Sequence, residues 1–355
     1  MRNLLIVLSI MLSVCTSVYA SEAEAQSGEL DMTSVISHHI SDSHSWNVFS
    51  YEDSEGQSHH INISLPVMAY NQGDWIFCMS SELAHGKTIR KNGKVYFLDS
   101  HDKLVYTRSG IGIDGIEADE TETASKVDFD FSITKNVASM FMSVIIIFLI
   151  FCGAAKSYKK SVVPRGGNSV VELLVLFVKD IADEQIGHEK SVKFTPYLLT
   201  LFFFIWINNL IGLVPFFPGA SNLSGNISFT AILAIFTFII TSVCANKHYW
   251  KHNLTLPGVP FVMKLILVPI EVISMFTKPF TLLVRLFANV TGGHIIIISL
   301  ISMIFIVKSY VMVVPSVLLA LIIFILELIF GALQAYIFTL LSALYISLAV
   351  KDEEH

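Results

Sequence analysis

Hydrophobic and polar positions divide this 355-residue chain into two very different parts. Residues 21–130 are polar and acidic, whereas nearly all of the chain after Val137 consists of apolar runs. A helix of about 20 apolar residues can cross the ~30 Å hydrocarbon core of a bilayer. The pattern therefore predicts an all-α membrane domain over residues 131–355, preceded by a polar extension. The five predicted transmembrane helices are residues 137–155, 197–215, 227–245, 262–306 and 315–350.

The last two apolar runs are longer than a membrane requires. A straight helix over residues 261–306 would be ~69 Å long, more than twice the thickness of the hydrocarbon core. No polar loop divides this run, and Pro269 and Pro279 can kink a helix without ending it. We expect a long, tilted, kinked helix that forms an antiparallel, membrane-embedded hairpin with residues 315–350.

The N-terminal residues predict export of the polar part. Residues 1–20 combine one arginine, an apolar core and the small residue Ala20, which are the features of a signal peptide cleaved after that alanine. An uncleaved membrane anchor is the alternative. The densest basic cluster, KSYKKSVVPRGG at residues 156–167, follows the first apolar run, and such clusters favour the cytoplasmic side. Five helices counted from an exported N-terminus predict a cytoplasmic C-terminus.

The exported residues 21–130 are predicted to form a small β-rich or partly disordered region. Short alternating runs are typical of strands, and residues 93–108 predict a hairpin with its turn near Ser100–Asp102. Several histidines in this part lack the cysteine or carboxylate spacing of a metal site, so we expect solvated side chains. They are His38, His39, His44, His59 and His60.

Residues 169–186 are amphipathic. Apolar residues recur at helical spacing while the charged residues lie mostly on the other side, and the segment is too polar to span a membrane. We expect a helix that lies along the cytoplasmic membrane surface.

Composition excludes several classes of function. The chain is 53% hydrophobic and 15% charged, with a net charge of −6, which offers no basic surface for a nucleic acid. Of the four cysteines, Cys78 alone lies in the exported part, so no disulfide framework is predicted. The sequence predicts neither a metal site nor a cofactor.

One face of the long run 262–306 carries polar and small residues. On a helical wheel at ~100° per residue, this stripe is centred on Arg285, and His294 lies on the opposite face. The stripe consists of Glu271, Lys278, Thr281, Arg285, Asn289 and Gly292.

Two other apolar runs contain polar residues. Glu327, Gln334 and Tyr345 share one face of the last predicted helix. Asn208 and Asn209 lie within the second predicted helix and need polar partners in a membrane. The asparagines could line water or bind another helix, and a buried glutamine could be a simple bond between helices.

Arg285 is the most informative of these residues. A central arginine costs from ~3 to above 10 kcal/mol in hydrocarbon, so it persists where it faces a polar cavity or a partner. No carboxylate lies within four residues of it. By contrast, Glu271 and Lys278 have the alternative interpretation of an ordinary ion pair, and Gly292 and Gly293 that of close helix packing.

Five short segments of the apolar part carry a specific combination of residues. They are NNLIGLVP (208–215), PIEVIS (269–274), KPFTLLVRLF (278–287), RLFANVTGGH (285–294) and ELIFGALQAYIF (327–338). In their order and spacing they resemble subunit a of the F-type ATP synthase membrane sector. The resemblance extends over roughly residues 135–355 and does not include the exported extension.

The resemblance implies roles for individual residues. Arg285 corresponds to the essential arginine that faces the rotating ring of c subunits, and Glu271 to a carboxylate of the cytoplasmic-side channel. His294 and Glu327 correspond to a pair in the exported-side access channel, whose two residue types are exchanged in many relatives. The polar matches near the arginine are Asn289 and Gln334. The candidate channel-lining residues are Asn208, Asn209, Lys278, Thr281 and Tyr345.

The resemblance also implies a function without catalysis by this chain alone. A proton-conducting stator subunit of the cell (inner) membrane would provide two half-channels, so that proton flow drives ring rotation and ATP synthesis. Its implied partners are the c-subunit ring, the b-subunit peripheral stalk, the catalytic head and the lipid bilayer, with no nucleic acid. The choice between H⁺ and Na⁺ stays open.

Three alternatives compete with this interpretation. A stand-alone ion-coupled secondary transporter predicts internal repeats, which the sequence lacks. An intramembrane metalloprotease built on His294 and Glu327 lacks an HExxH motif and a third ligand. A protein whose exported extension is the functional part leaves Arg285 unexplained.

Overall fold

The computed structural model describes most of the chain. The described residues are 42–52, 58–83, 87–99, 102–108, 125–160, 166–214, 221, 223–247, 249–251, 260–307 and 310–350. The predicted signal peptide lies outside them, as do His38, His39 and the side chains of His59 and His60.

The chain divides into two compact units. One contains the described residues up to Phe141 together with Ile211–Ser221 and Ile295–Ile322. The other contains Met142–Leu210, Asn222–His294 and the residues from Ile323 onward.

The first unit contains three small antiparallel sheets, with strand orders β1-β2, β4-β3-β9 and β5-β6-β7-β8. A four-residue helix, α1 (Ser80–Leu83), follows β4. The strands are β1 (Ser45–Glu52), β2 (Ser58–Ser64), β3 (Pro66–Asn71), β4 (Asp74–Met79), β5 (Ile89–Lys91), β6 (Lys94–Leu98), β7 (Leu104–Arg108), β8 (Ser125–Lys126) and β9 (Phe129–Asp130). Their shared core consists of Val67, Ala69, Ile76, Leu83, Tyr96, Leu104 and Tyr106.

Turn residues set the register of two hairpins. Gln72 and Gly73 join β3 to β4, and Asn92 and Gly93 join β5 to β6, all with positive φ. Two-residue loops of this conformation match the twist of the paired strands. The hairpin expected over residues 93–108 is present as β6 and β7, with Leu98 opposite Leu104.

His44 is not solvated, contrary to prediction. Its side chain is 4% exposed, and its Nε2 lies 3.7 Å from Oδ2 of Asp130. The reason is that the backbone around it is fixed against the start of the next helix: the N–H of Lys135 donates to the carbonyl of Ser43, and Thr134 donates to Asp42. This docking covers the imidazole, a contact that the local sequence pattern does not reveal.

In the described part of the chain, six long helices follow the strands. Four of them, α2, α4, α6 and α7, are long and apolar enough to cross a membrane, whereas α5 has 17 residues and α3 is amphipathic. Their bounds are α2 (Lys135–Lys160), α3 (Gly167–Ile186), α4 (His188–Gly212), α5 (Ile227–Val243), α6 (Phe261–Val307) and α7 (Tyr310–Val350).

Two helices begin earlier than predicted. Helix α4 begins at His188, nine residues before the predicted start, and continues through Pro196. Helix α7 begins at Tyr310 and includes Pro315, the residue at which the sequence pattern placed its start. A proline removes one backbone hydrogen bond, and in both helices this loss does not end the helix. At its other end, α4 stops at Gly212, three residues before the predicted end.

The end of α7 is fixed by bonds to its last carbonyl groups, which have no partner within the helix. Lys190 Nζ and Asn246 Nδ2 donate to the carbonyl of Val350 at 2.9 and 3.0 Å. The backbone N–H of Asn246 donates to the carbonyl of Ala349, and Ser347 bonds the carbonyl of Gln185. These bonds set the position of α7 along its axis in the second unit.

Candidate functional site

A histidine and a glutamate meet between α6 and α7. Nε2 of His294 lies 3.5 Å from Oε1 of Glu327, and the two side chains are only 13% and 9% exposed. Within the described part of the chain, neither carboxyl oxygen of Glu327 has a hydrogen-bond partner. The pair therefore consists of two buried groups that can both bind a proton, at a separation slightly longer than a hydrogen bond.

Gly293 allows Glu327 to approach α6. A Cβ atom at this position would lie 2.9 Å from both Cδ and Oε1 of Glu327, closer than real Cβ contacts. At Gly292, by contrast, a Cβ would meet nothing within 4 Å. Glycine at position 293 therefore leaves space for the carboxyl group of Glu327. This role could be recognised only once the pairing of α6 with α7 was known.

The two predicted asparagines of α4 differ in their bonds. Asn209 Nδ2 donates to the carbonyl of Gly331, one turn after Glu327 on α7, at 3.1 Å. Asn208 Nδ2 donates instead to the carbonyl of Phe204 in its own helix at 2.7 Å. Both side chains are buried, so Asn209 joins two helices beside the carboxyl group while Asn208 stays within one.

A second polar region lies nearer the start of α6. Lys278 Nζ lies 5.9 Å from the ring centre of Tyr345 on α7, within cation–π range. Both residues line an open pocket of about 350 Å³. Its other polar lining residues, which the sequence pattern did not indicate, are Thr237, Thr241, Ser242 and Tyr249. The available signal was the pair of threonines four residues apart in the otherwise apolar α5.

Arg285 lies between these regions on an exposed part of α6. Among the described residues, no carboxylate lies within salt-bridge distance of its guanidinium, and Glu271 makes no salt bridge with Lys278. Exposed neighbours on the helix, such as Val284, are apolar. The Arg285 side chain is thus exposed among apolar neighbours, and its positive charge also acts on Tyr345 of α7.

The remaining predicted residues have ordinary environments within the chain. The hydroxyl of Thr281 donates to the carbonyl of Thr277, one turn earlier. Asn289 and Glu271 are half-buried, and Gln334 is 7% exposed on α7.

The buried side chains of α6 between the two polar regions are apolar, whereas those of α7 are mixed. At about 1.5 Å per residue, Arg285 lies ~10 Å from Lys278 and ~14 Å from His294 along the axis of α6. Over this interval α6 buries Leu282, Leu286 and Val290, and α7 buries Phe338 together with the polar Gln334, Thr339 and Ser342. The fold and site thus define a helical membrane protein with two separated polar regions and an outward-facing arginine between them.

Comparison with known proteins identifies the class more closely. The ATP synthase A chain family matches residues 137–347. The chain therefore belongs to this family, the non-catalytic subunit a of the membrane sector of the rotary ATP synthase. Residues 35–131 match a domain family of unknown function.

Similar relatives are found among bacteria. ATP synthase subunit a of Chloroherpeton thalassium is 47% identical over 235 residues, which is 64% of this chain and 69% of the relative. ATP synthase subunit a 2 of Chlorobaculum tepidum is 46% identical, over 64% of this chain and 65% of the relative. Subunit a of Chlorobium phaeobacteroides strain BS1 is 46% identical, over 64% and 68%.

Proposed function

We propose that this chain conducts protons through two half-channels that do not connect, with Arg285 between them facing the ring of c subunits. The observation that carries the proposal is the order of groups along α6: the Lys278 pocket, the outward arginine and the His294–Glu327 pair. On α6, the buried residues in the interval between the two polar regions are apolar. A proton can then move from one half-channel to the other only on a carrier outside this chain.

The His294–Glu327 pair belongs to the exported-side half-channel in this proposal. Imidazole changes its charge near neutral pH, and a carboxyl group beside it can accept or return the proton. Transfer requires ~2.6–3.2 Å or one intervening water molecule, and the 3.5 Å separation is close to this range. Gly293 and Asn209 position the glutamate, the first by leaving space and the second by fixing α4 against α7.

The pocket beside Lys278 and Tyr345 belongs to the opposite half-channel. Its hydroxyl groups from Thr237 and Thr241 offer polar partners for water in an otherwise apolar region. Glu271 lies seven residues before Lys278 on the same stripe and is the carboxylate of this side. Basic residues at positions 246–253 precede α6, which supports a cytoplasmic location.

Arg285 separates the two half-channels electrostatically. Its fixed positive charge favours the ionised form of each ring carboxyl group that passes, and so favours proton release. The attraction is ~4 kcal/mol at 4 Å and an effective dielectric of about 20. A proton crossing ~100 mV supplies ~2.3 kcal/mol. The two magnitudes are comparable, so a hydrated contact allows the ring to move on.

The same proposal includes the arrangement of the chain in the cell. Along α6 and α7, the contacts His294–Glu327 and Lys278–Tyr345 occur in opposite order, which supports an antiparallel hairpin. With α5 as a short fifth span, the N-terminus is exported and the C-terminus lies in the cytoplasm of an inner-membrane protein. The partners are the c-subunit ring, the b-subunit stalk and the catalytic head.

Removal of the arginine tests the mechanism. We expect Arg285→Ala to abolish ATP synthesis driven by respiration in inverted membrane vesicles, while the c ring still copurifies with the chain. The matched control is Arg90→Ala, which removes an exposed arginine from β5 and is expected to leave synthesis unchanged. Retained ATP synthesis in the Arg285→Ala vesicles would contradict the proposal.

A further inference from the structure

The sheet β4-β3-β9 is apolar on both faces. One face packs into the core through Val67, Ala69 and Ile76. Antiparallel sheets at a protein surface normally present polar residues to water on the other face. Here the register places a second apolar set on that side, which we call the aromatic face. It consists of Pro66, Met68, Tyr70, Trp75, Phe77, Met79, Phe129 and Phe131.

The aromatic face is exposed and well ordered by its strands. Phe77 is 65% exposed, Phe129 is 60% and Phe131 is 55%. Trp75 stacks on Phe77 and Phe131 at ring separations of 5.9 and 6.1 Å, and Tyr70 lies 5.3 Å from Trp75. The rings therefore form one continuous apolar surface rather than scattered exposed side chains, and such surfaces mark an interaction site.

This face continues directly into the first membrane helix. The backbone N–H groups of Phe131 and Ile133 donate to the carbonyls of Met68 and Pro66, so strand pairing extends to within two residues of Lys135, where α2 begins. Four extended residues from Phe131 span at most ~14 Å. The edge of the sheet formed by Phe131 and Ile133 therefore lies next to the first turn of α2.

The joint between sheet and helix is fixed by Asp42. Its carboxylate accepts from the hydroxyl of Thr134 at 2.8 Å and from the backbone N–H of Asn136 at 3.2 Å. An acidic group at this point also compensates the positive end of the helix dipole. The aromatic face is therefore held in one orientation relative to the first turns of α2.

The length of α2 locates this joint in the membrane. Its 26 residues correspond to ~39 Å, longer than the ~30 Å hydrocarbon core and close to the full thickness with headgroups. The first turn of α2 therefore lies among the lipid headgroups, and Phe141, about two turns further on, is 54% exposed. A rigid apolar sheet that begins at headgroup depth is continuous with this lipid-facing surface.

We propose that the aromatic face lies in the interfacial layer of the bilayer, on the side where α2 begins. Tryptophan, tyrosine and phenylalanine suit this layer because their rings are apolar while tyrosine and tryptophan also carry a polar group. At the rim, Lys91 donates to the carbonyl of Trp75, which keeps a charged group beside the headgroups. This contact is independent of proton conduction and depends only on insertion of α2.

Photo-crosslinking in the assembled complex tests the proposal. The complex is placed in nanodiscs of phosphatidylethanolamine and phosphatidylglycerol, with p-benzoylphenylalanine in place of Phe77 or, in a second variant, of Phe129. The control carries the same group in place of Lys103, an exposed residue between β6 and β7. We expect a phospholipid mass adduct when the photoreactive group is at either aromatic position, and no such adduct when it is at the control position.

Two results would overturn this inference. Crosslinks from the aromatic positions to another subunit, or to a second copy of this chain, would show that a protein covers the face. A phospholipid yield at Phe77 and Phe129 no higher than that at Lys103 would show that the face meets water. The second variant keeps the test decisive if the first does not assemble.

Discussion

Substitution of Gly293 by alanine separates the steric role of this glycine from its effect on the helix. The new Cβ would lie 2.9 Å from Cδ and Oε1 of Glu327, whereas ordinary contacts begin at 3.4 Å. The carboxyl group must therefore move by roughly 0.5 Å or more, and because it is the far end of a flexible side chain it can do so without disrupting the helix pair. Because the group is already 3.5 Å from His294, this shift acts directly on the proton-binding pair.

The expected loss of function follows from this displacement. Misplacement of a reacting group by about 1 Å can cost ~100-fold in rate, so we expect proton conduction to fall ~10- to 100-fold. The assay is the initial rate of ATP-driven acidification of inverted vesicles, followed by quenching of an acridine dye. The amount of subunit that copurifies with the c ring corrects this rate for assembly.

Two further variants complete this experiment. Gly153→Ala in α2, where a Cβ meets nothing within 4 Å, controls for the general effect of alanine in a helix. Glu327→Asp shortens the side chain by ~1.5 Å, one carbon–carbon bond, and is expected to relieve the clash, so Gly293→Ala with Glu327→Asp should conduct better than Gly293→Ala alone. Equal rates for Gly293→Ala and Gly153→Ala would refute the steric argument.

Two other predictions concern paired residues. Exchange of His294 and Glu327 for one another is expected to retain more proton pumping than either single change to alanine, because one carboxyl and one imidazole remain; a swapped protein as inactive as the single variants would contradict a shared role. In the extension, burial lowers the pKa of His44, but contacts with Asp130 and Asp102 raise it by more, so its net pKa lies above 6.5. Burial raises the pKa of Asp130, but contacts with His44 and Ser132 lower it by more, so its net pKa lies below the usual value. Stability from His44 is therefore complete below pH ~6.5 and is lost as pH rises through its raised pKa, whereas that from Asp130 is lost only as pH falls below ~4. The protection of the β9 amides, which is the ratio of intrinsic to observed hydrogen-exchange rate, should fall between pH 6 and pH 8 in the native chain but not in His44→Gln, and an equal fall in both would exclude this pair as the cause.

Hydrophobic periodicity was sufficient to predict the long helices because their apolar runs are uninterrupted. Helix α6 ends within one residue of the expected bounds at both ends, since no polar segment divides it. The starts of α4 and α7 were predicted too late, at residues 197 and 315. Both helices continue through a proline, Pro196 and Pro315, where the apolar or helical sequence on both sides outweighs one lost bond. Helix boundaries near proline thus depend on flanking residues rather than on the proline itself.

Contacts between helices could not be derived from periodicity. The wheel placed His294 on the face opposite Arg285, but the register of α7 against α6 decides that Glu327 lies beside it. The end of α7 is fixed by bonds from Lys190 and Asn246, which are distant in sequence, and no local pattern encodes them. The pocket was also not predicted from the sequence. The hydroxyls of Thr237 and Thr241 donate to carbonyls of their own helix, so in the sequence these threonines are indistinguishable from ordinary positions of an apolar helix.

The polar N-terminal part was the least predictable. Alternation indicated strands, but β9 is only two residues long and has no signal of its own. Its pairing with β3 brings Phe129 and Phe131 beside Trp75 and thereby completes the aromatic face. A surface assembled from separate segments can be recognised only when the sheet order is known.

The location of Arg285 constrains any mechanism that uses this chain. Its guanidinium faces outward, while His294 turns to α7. On α6, Leu282, Leu286 and Val290 are buried between His294 and the Lys278 pocket, and none of them can bind a proton. An arginine cannot carry the proton across, because it does not release its own at physiological pH. In the proposed mechanism, the proton therefore leaves this chain on a carboxyl group of another protein, which is neutral while it carries the proton and ionised when it passes Arg285. A static channel protein would gain nothing from a charge that costs several kcal/mol to keep in hydrocarbon.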